Sequence, residues 1–299
     1  MLLFHGKSSY MNGRMCLIEC LTKGRRGEMP ERSSDLRDFY ESRVWKIHQI
    51  SNPYEVVRFR HILEFLGTES RNTVLDVGCG GGTYTRILAR AQLVIAVDVS
   101  SNAVKTAKQS LLWKGNVFFV VCDLEHLPIR DMAVDKVSCI DVLEHVERPQ
   151  KAVNEMSRVL RSNGKMLLFT ACGENKFTLE YMLRPFFGKL INSIRSTLGH
   201  VSIFTTQNIR KMLSQDFMIT RIEYMHHWAG WLFKFCWDAT HMNSLESHQS
   251  QFEVSGSTFS RILWLPFEAE YQLFKSRSLG TEIIVDATKK KPCPIDPSG

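Results

Sequence analysis

The stretch that most constrains the fold runs from Thr73 to Thr83 and reads TVLDVGCGGGT. An apolar run typical of a buried parallel strand ends near Asp76. Four glycines follow, namely Gly78, Gly80, Gly81 and Gly82. Glycine lets the backbone turn tightly and lets a ligand approach with no Cβ in its way. A periodic run, TYTRILARA, comes directly after and indicates a helix. The stretch therefore predicts a strand, a ligand-binding glycine turn and a helix.

Apolar and periodic runs then alternate through the middle of the chain. The predicted strands lie near 73–77, 93–97, 117–122, 134–140 and 164–171, and the predicted helices near 83–91, 101–112 and 149–161. This alternation predicts a doubly wound α/β fold, in which helices cover both faces of a mostly parallel sheet. Ligands bind such sheets at the carboxyl ends of the strands.

Four aspartates occupy these predicted strand ends: Asp76, Asp98, Asp123 and Asp141. A crowded carboxylate is costly unless it has a partner, so four equivalent positions argue for a shared ligand. Asp98 lies at about the twenty-residue offset expected of an acid that binds ribose hydroxyls. Asp76 suits a ligand with a free amino group, whereas a nicotinamide cofactor would bring an anionic pyrophosphate to this place.

Several segments resemble the class I S-adenosylmethionine-dependent methyltransferases. VLDVGCGGG is similar to motif I, AVDVS to the acidic end of the second strand, and CDLEHLP to motif II. DVLEHV and NEMSRVLRSNGKMLL resemble the branch that includes ubiquinone- and menaquinone-type methyltransferases. The resemblance implies S-adenosylmethionine as cofactor and a Rossmann-like, seven-stranded, mostly parallel sheet. Its last two strands would be 217–225 and 280–287, with an antiparallel closing strand and helical cap insertions.

The resemblance also implies which residues bind the cofactor. They are Asp76, Gly78, Cys79, Gly80, Asp98, Val99, Asp123, Leu124 and Asp141. Within this set, Asp98 would bind the ribose and Asp123 would reach the adenine amino group.

His145 is the candidate catalytic residue, because it follows the fourth strand and could accept a proton from an acceptor that needs deprotonation. The alternative is a structural hydrogen bond that orients its loop. Weaker candidates are His200, His226 and His227. Asp141, Glu144 and His145 also resemble the cluster with which ubiquinone O-methyltransferases bind a divalent metal. The same string occurs in metal-free relatives, so we predict no metal.

The chain divides into five predicted parts. They are a disordered extension (1–32), N-terminal helices over the cofactor (33–72), the cofactor-binding core (73–171), the rest of the sheet with its insertions (172–288) and a tail (289–299). The extension could instead be an interaction arm. In the N-terminal part, a helix from Ser34 is expected to continue until Pro53 breaks it, and a second follows. Tyr40 and Arg58 there could face ligand or serve only in packing.

The insertions are rich in aromatic residues, which are expected in a cap: Phe186, Phe187, Phe204, Trp228, Trp231, Phe233, Phe235, Trp237, Trp264 and Phe267. Such a surface could bind a small apolar acceptor such as a quinone, isoprenoid or lipid precursor, or rest on a membrane. Alternatively, these side chains only pack on the sheet.

Composition narrows the possible partners and compartments. The net charge of +7 is spread thinly, so no nucleic-acid partner is expected and an RNA or protein methyltransferase is disfavoured. The alternative function, a non-catalytic cofactor-binding module, is compatible with the sequence. The scattered cysteines are expected to be small core residues in a reducing compartment. With no signal peptide and no membrane span in the sequence, the expected location is the cytoplasm, with possible peripheral membrane contact. The sequence does not predict the oligomeric state.

Overall fold

The computed structural model describes residues 34–43, 45, 53–68, 71–111, 113–173, 175–240 and 258–291. Several sequence predictions therefore lie outside the described residues. They concern the extension 1–32, the side chains of Trp237 and Trp264, and the tail beyond 291.

A seven-stranded sheet forms the centre of the molecule, with strand order β3-β2-β1-β4-β5-β7-β6. The strands are β1 (Thr73–Val77), β2 (Leu93–Asp98), β3 (Val117–Val121), β4 (Val134–Ile140), β5 (Leu160–Ala171), β6 (Phe217–Met225) and β7 (Glu282–Lys289). The first five strands are parallel to one another, and β7 runs antiparallel to both β5 and β6. The predicted fold class, including the antiparallel closing strand, is confirmed.

Nine α-helices are described, three of them in the insertions. They are α1 (Ser34–Glu41), α2 (Pro53–Leu66), α3 (Thr85–Leu88), α4 (Ser101–Leu111), α5 (Pro149–Val159), α6 (Leu179–Leu198), α7 (Thr206–Leu213), α8 (Trp228–Thr240) and α9 (Thr258–Phe274). Helix α6 follows β5, whereas α8 and α9 lie between β6 and β7 in the chain. None of the described helices is long and apolar enough to cross a membrane.

Several element boundaries differ from the sequence prediction, three of them by a physical feature of the chain. The first helix ends at Glu41, well before Pro53, which instead begins α2. Proline suits the first helical position, because its fixed φ is already helical and an N–H at that position would have no partner within the helix. Helix α3 ends at Leu88, because Ala89 departs from helical geometry. Strand β5 begins at Leu160, which pairs with Val134 of β4.

The hydrophobic core lies on both faces of the sheet. Val74 packs on one face with Ile62 and Leu88, while its neighbour Leu75 packs on the other face with Met156. Successive residues of a strand point to opposite faces, so burial of both requires a helical layer on each side. The cysteines near strands are free and buried, as predicted: Cys79, Cys122, Cys139 and Cys172.

Candidate functional site

The candidate site lies where the strand order reverses. Strand β1 pairs with β2 on one side and with β4 on the other, so the carboxyl ends of the three strands lie at one edge. Asp76 lies near the end of β1, Asp98 ends β2, and Asp141 directly follows β4. A switch point of this kind opens a crevice between the two halves of an α/β sheet, where ligands bind.

The turn after β1 requires glycine at two positions. Gly78 has a φ of +68°, and a Cβ there would come within 2.3 Å of Cγ2 of Val142. Gly80 has a φ of +50°, and a Cβ there would come within 3.0 Å of the Trp45 ring. Positive φ is unfavourable for residues with a Cβ. These glycines let the turn approach Val142 on one side and Trp45 on the other.

Asp98 connects the end of β2 to this turn. Its Oδ2 accepts a hydrogen bond from the Gly80 N–H at 2.8 Å, and its Oδ1 accepts from the Ser100 N–H at 2.9 Å. Burial raises the pKa of Asp98, and these backbone donors act against that shift. Each carboxylate oxygen has a second lone pair. Asp98 can therefore bind two ribose hydroxyls while it supports the turn.

Asp76 is a buried acid behind the same turn. Its Oδ2 accepts a hydrogen bond from Thr85 Oγ1 at 2.6 Å. Burial raises the pKa of Asp76 to about 7, although the Thr85 hydrogen bond opposes the shift. A buried carboxylate in this condition gains most from a cationic partner. The ammonium group of an amino-acid ligand fits this requirement.

The remaining predicted cofactor-binding residues lie around the glycine turn and the end of β3. Asp123 begins a short 3-10 turn, where its Oδ1 accepts from the Glu125 N–H at 2.8 Å. Leu124 and Cys79 are buried, and Val99 is half-buried after β2. Burial raises the pKa of the Cys79 thiol well above its usual value. Direct contact of these residues with the cofactor stays a prediction.

Asp141 belongs to a partly buried charge cluster centred on Arg58. The Arg58 guanidinium binds both oxygens of Asp141 at 2.8 and 3.0 Å, and Glu282 at 2.7 Å. Tyr84 accepts another hydrogen bond from Arg58 at 3.1 Å. Burial raises the pKa of Asp141, and Arg58 opposes this shift. For Glu282 the outcome is reversed: burial by itself would raise its pKa, but Arg58 and His226 bring it below its usual range.

Sequence reasoning missed Glu282 and Tyr84. Glu282 is the first residue of β7, which is antiparallel, so its beginning lies at the edge where the parallel strands end. The only available signal was its position at the start of the predicted closing strand. Arg58 was predicted to face ligand or pack, and the structure shows it holding two carboxylates.

His145 has one ring nitrogen committed to the backbone. Its Nδ1 lies 2.9 Å from the carbonyl oxygen of Gly199, which follows α6. A carbonyl only accepts, so Nδ1 carries the hydrogen and the neutral ring has its lone pair on Nε2. Burial lowers the pKa of His145, which favours this neutral form. The arrangement provides the predicted structural hydrogen bond and also leaves a basic nitrogen.

The surroundings of His145 come from the N-terminal helix and the first insertion. The rings of Tyr40 and His200 lie edge-on to His145, with centroids at 5.5 and 5.0 Å. Among the described residues, the buried Tyr40 hydroxyl has no hydrogen-bond partner. Glu41 fixes this helix by accepting from the Ser101 N–H at the start of α4, at 2.8 Å. Helix α1 is therefore held against His145 and the start of α4.

Glu144, His145 and His200 each offer one ligand atom, and these atoms lie within 4.8 Å of one another. Glu144 also accepts a hydrogen bond from Thr170 Oγ1 at 2.7 Å. Asp141, which the sequence motif groups with Glu144 and His145, is bound to Arg58 and is not part of this cluster. The third residue of the cluster is His200. The prediction that the chain holds no metal stays a prediction.

The predicted cap aromatics divide into three groups. Within α8, Trp231 stacks on Phe235 with ring centroids 4.7 Å apart. Helix α8 meets α9 where the rings of Phe233 and Phe267 lie 5.5 Å apart. Phe186 is 80% exposed. Phe204 was expected in the cap, but it is buried in the main core.

The other two histidines lie at the foot of this cap. His226 directly follows β6, is 6% exposed and lies 3.2 Å from Glu282 through its Nε2. His227 is also buried, and burial lowers its pKa to about 4. His226 thus joins the Arg58 cluster, whereas His145 lies with Tyr40 and His200.

Comparisons with known proteins agree with this geometry. Residues 75–168 match the family model described as a methyltransferase domain. The chain is 36% identical over 147 residues to the ubiquinone biosynthesis O-methyltransferase of Nitrosomonas europaea, an alignment that covers 46% of this chain and 61% of that protein.

It is also 30% identical over 189 residues to the ubiquinone/menaquinone biosynthesis C-methyltransferase UbiE of Pseudomonas aeruginosa, covering 57% of this chain and 73% of UbiE. Among solved structures, the [4+2]-cyclase SpnF is similar, with a TM-score of 0.58 and 18% identity. That alignment covers 89% of this chain and 95% of SpnF. At this identity the likeness concerns the fold alone.

Replacing Asp98 should weaken binding of S-adenosylhomocysteine. We expect Asp98→Ala to lose about 1.5–3 kcal/mol of binding free energy, because charge-assisted hydrogen bonds to the ribose are removed and the glycine turn loses its support. Isothermal titration calorimetry measures the change. Asp135→Ala is the matched control. Asp135 also accepts a hydrogen bond from a backbone N–H, that of Thr73, but it lies at the opposite end of β4 from the site. Equal affinities of D98A and the unchanged protein would contradict the ribose assignment.

Proposed function

The chain belongs to the class I S-adenosylmethionine-dependent methyltransferases, and on this premise we propose that it methylates a small, apolar acceptor such as a quinone, isoprenoid or lipid precursor. S-adenosylmethionine is the family's methyl donor, and the carboxylates of Asp76 and Asp98 at the sheet edge suit its amino group and its ribose hydroxyls. The observation that carries the proposal is that the aromatic cap of helices α8 and α9 adjoins this edge of the sheet.

The chemistry asks little of the protein beyond placement. Bound S-adenosylmethionine supplies a methyl group on a positively charged sulfur, already activated for in-line displacement. The chain contributes orientation through Asp98 and the glycine turn, a buried acid for the amino group at Asp76, and water exclusion through α1 and the cap. Holding two reactants in line can supply about 7–11 kcal/mol of the barrier reduction.

Two observations support an apolar acceptor. First, rings from two insertions meet above the sheet edge, where Phe187 contacts Phe235 at 6.2 Å and Phe235 stacks on Trp231. Apolar walls of this kind suit ligands that bury most of their surface. Second, the names of both relatives place those proteins in quinone biosynthesis.

Transfer of a labelled methyl group tests the proposed function. The protein is incubated with methyl-labelled S-adenosylmethionine and a cell extract, and the products are separated into organic, aqueous and macromolecular fractions. We expect the label in the organic phase. Label in RNA or protein would contradict the small acceptor. No transfer, with S-adenosylhomocysteine binding intact, would favour the alternative of a non-catalytic cofactor-binding module.

We further propose that Nε2 of His145 accepts the proton of the acceptor. His145→Ala should lower turnover while leaving the affinity for S-adenosylhomocysteine nearly unchanged, since general-base catalysis contributes about 10²–10⁴-fold. Burial lowers the pKa of His145 from its usual 6.5, so the ring is protonated only at a more acidic pH, and the acidic limb of the turnover profile should lie below pH 6.5. A structural role predicts a lower Tm for His145→Ala with an unchanged pH profile.

Helix α6 supports contact with an anionic membrane surface, as a second part of the proposal. Phe186 and Phe187 are exposed on it, with Arg184 and Lys189 close by in sequence. Aromatic side chains beside cationic ones suit the interface of an anionic bilayer. A membrane surface is also where an apolar acceptor would be held.

Sedimentation with phosphatidylglycerol vesicles tests this contact. The double variant Phe186→Ser with Phe187→Ser should bind at least about tenfold more weakly, because burying each phenyl ring contributes roughly 1.5–3 kcal/mol. Trp113→Ser is the matched control, since Trp113 is similarly exposed but follows α4, outside the cap. Equal binding of the double variant and the unchanged protein, or no binding by the latter, would refute the contact.

A further inference from the structure

His226 is held in an unusual way at the foot of the cap. Its φ is +52°, a region that costs energy for a residue with a Cβ and that clusters at functional sites. The chain around it is fixed, because its carbonyl accepts from the Thr281 N–H at 3.2 Å. The side chain is 6% exposed, and Nε2 lies 3.2 Å from a carboxylate oxygen of Glu282. The surrounding strands therefore impose a defined orientation on this imidazole.

The orientation leaves one buried nitrogen without a partner. A carboxylate accepts, so Nε2 of the neutral ring carries the hydrogen and Nδ1 has the lone pair. Among the described residues, Nδ1 of His226 makes no hydrogen bond. The Tyr54 ring packs against the same imidazole, with centroids 3.9 Å apart and the ring planes tilted by 32°. Its buried hydroxyl is likewise unpaired within the described part of the chain. Buried polar atoms almost always have partners, so two at one contact require an explanation.

These atoms lie next to the predicted cofactor site. One nitrogen of Arg58 donates to both Asp141 and Glu282. The Glu282 carboxylate that binds His226 is therefore linked through Arg58 to Asp141 at the end of β4. Above them, helix α8 lies against the Tyr54 hydroxyl: a Cβ on Gly230 would come within 1.7 Å of that oxygen. The unpaired atoms therefore lie between the sheet edge and the aromatic cap.

We propose that Tyr54 and His226 form a recognition site for a hydroxyl group on the acceptor. An acceptor hydroxyl donates to Nδ1 of His226 and accepts from the Tyr54 hydroxyl, which satisfies both buried atoms at once. Glu282 acts as the positioning residue, because it fixes the tautomer of His226. The inference rests on the proposed function and narrows it, since the acceptor becomes a hydroxyl-bearing apolar molecule, such as a phenol, in place of a plain hydrocarbon chain.

Paired probes test the site directly. The full chain, saturated with S-adenosylhomocysteine, is titrated with p-cresol and with 4-methylanisole, which replaces the hydroxyl hydrogen by a methyl group. Histidine side-chain NMR gives both affinities, and the His226 signal is identified by its loss in His226→Asn. We expect p-cresol to bind roughly tenfold more tightly or better, and to shift the His226 signal, because the ether leaves a buried acceptor unpaired. Equal affinities, absent binding or an unmoved His226 signal would overturn the proposal.

Two conservative variants test whether Tyr54 and His226 cause the preference for p-cresol over 4-methylanisole. Tyr54→Phe removes one oxygen that has no described partner, and His226→Asn keeps a residue type that tolerates positive φ. Each should reduce the preference for p-cresol to about threefold or less and leave the affinity for S-adenosylhomocysteine intact. Tyr271→Phe is the control, because that hydroxyl is already bound by His61 and Glu223, and its preference should stay unchanged.

Two further outcomes separate the inference from the function on which it rests. If the preference survives in Tyr54→Phe and His226→Asn but disappears in His145→Ala, the hydroxyl binds beside His145 and the proposal is wrong. If the preference behaves as expected but no label reaches the organic phase in the methyl-transfer experiment, the hydroxyl site stands and the proposed function fails.

Discussion

The ion cluster around Arg58 holds the two halves of the site together. Arg58 comes from the second helix, Asp141 from the end of β4 and Glu282 from the start of β7, so one guanidinium joins three elements that are far apart in the chain. Removing one member of this partly buried group would leave a charge without its partner, which is unfavourable away from bulk water. The placement of Asp141 at the sheet edge and of Glu282 beside it therefore depends on the same interaction.

Local signals explain why much of the fold was predictable. The glycine turn, the apolar strands and the periodic helices are encoded within a few residues, so Asp76, Asp98 and Asp141 were placed at one edge from sequence. The missed contributors, Glu282 and the carbonyl of Gly199, reach the site through the insertions and the antiparallel strands, where no local pattern specifies a neighbour. The cap insertions were predicted to be helical, but the bounds of helix α6 were not predicted, since Pro185 lies within it. Phe204 was misplaced because an aromatic residue in an insertion can still pack in the main core.

Two histidines in the site present opposite nitrogens for the same physical reason. The Gly199 carbonyl fixes the hydrogen of His145 on Nδ1, whereas Glu282 fixes that of His226 on Nε2. An acceptor atom beside each ring thus decides which lone pair is available. The first ring lies with the N-terminal helix and the second at the foot of the cap, so the two are suited to different groups of a bound molecule.

The burial of Cys79 has a consequence for the survival of the protein itself. A methyl donor reactive enough to serve an acceptor is also an alkylating agent towards any strong nucleophile beside it. Sulfur reacts as the thiolate, and the surroundings of Cys79, buried and close to Asp98 and Asp76, raise its pKa well above the usual value. The thiol in the turn therefore stays protonated and inert. The turn predicted to bind the cofactor therefore carries a sulfur atom that is a poor nucleophile towards a methyl donor.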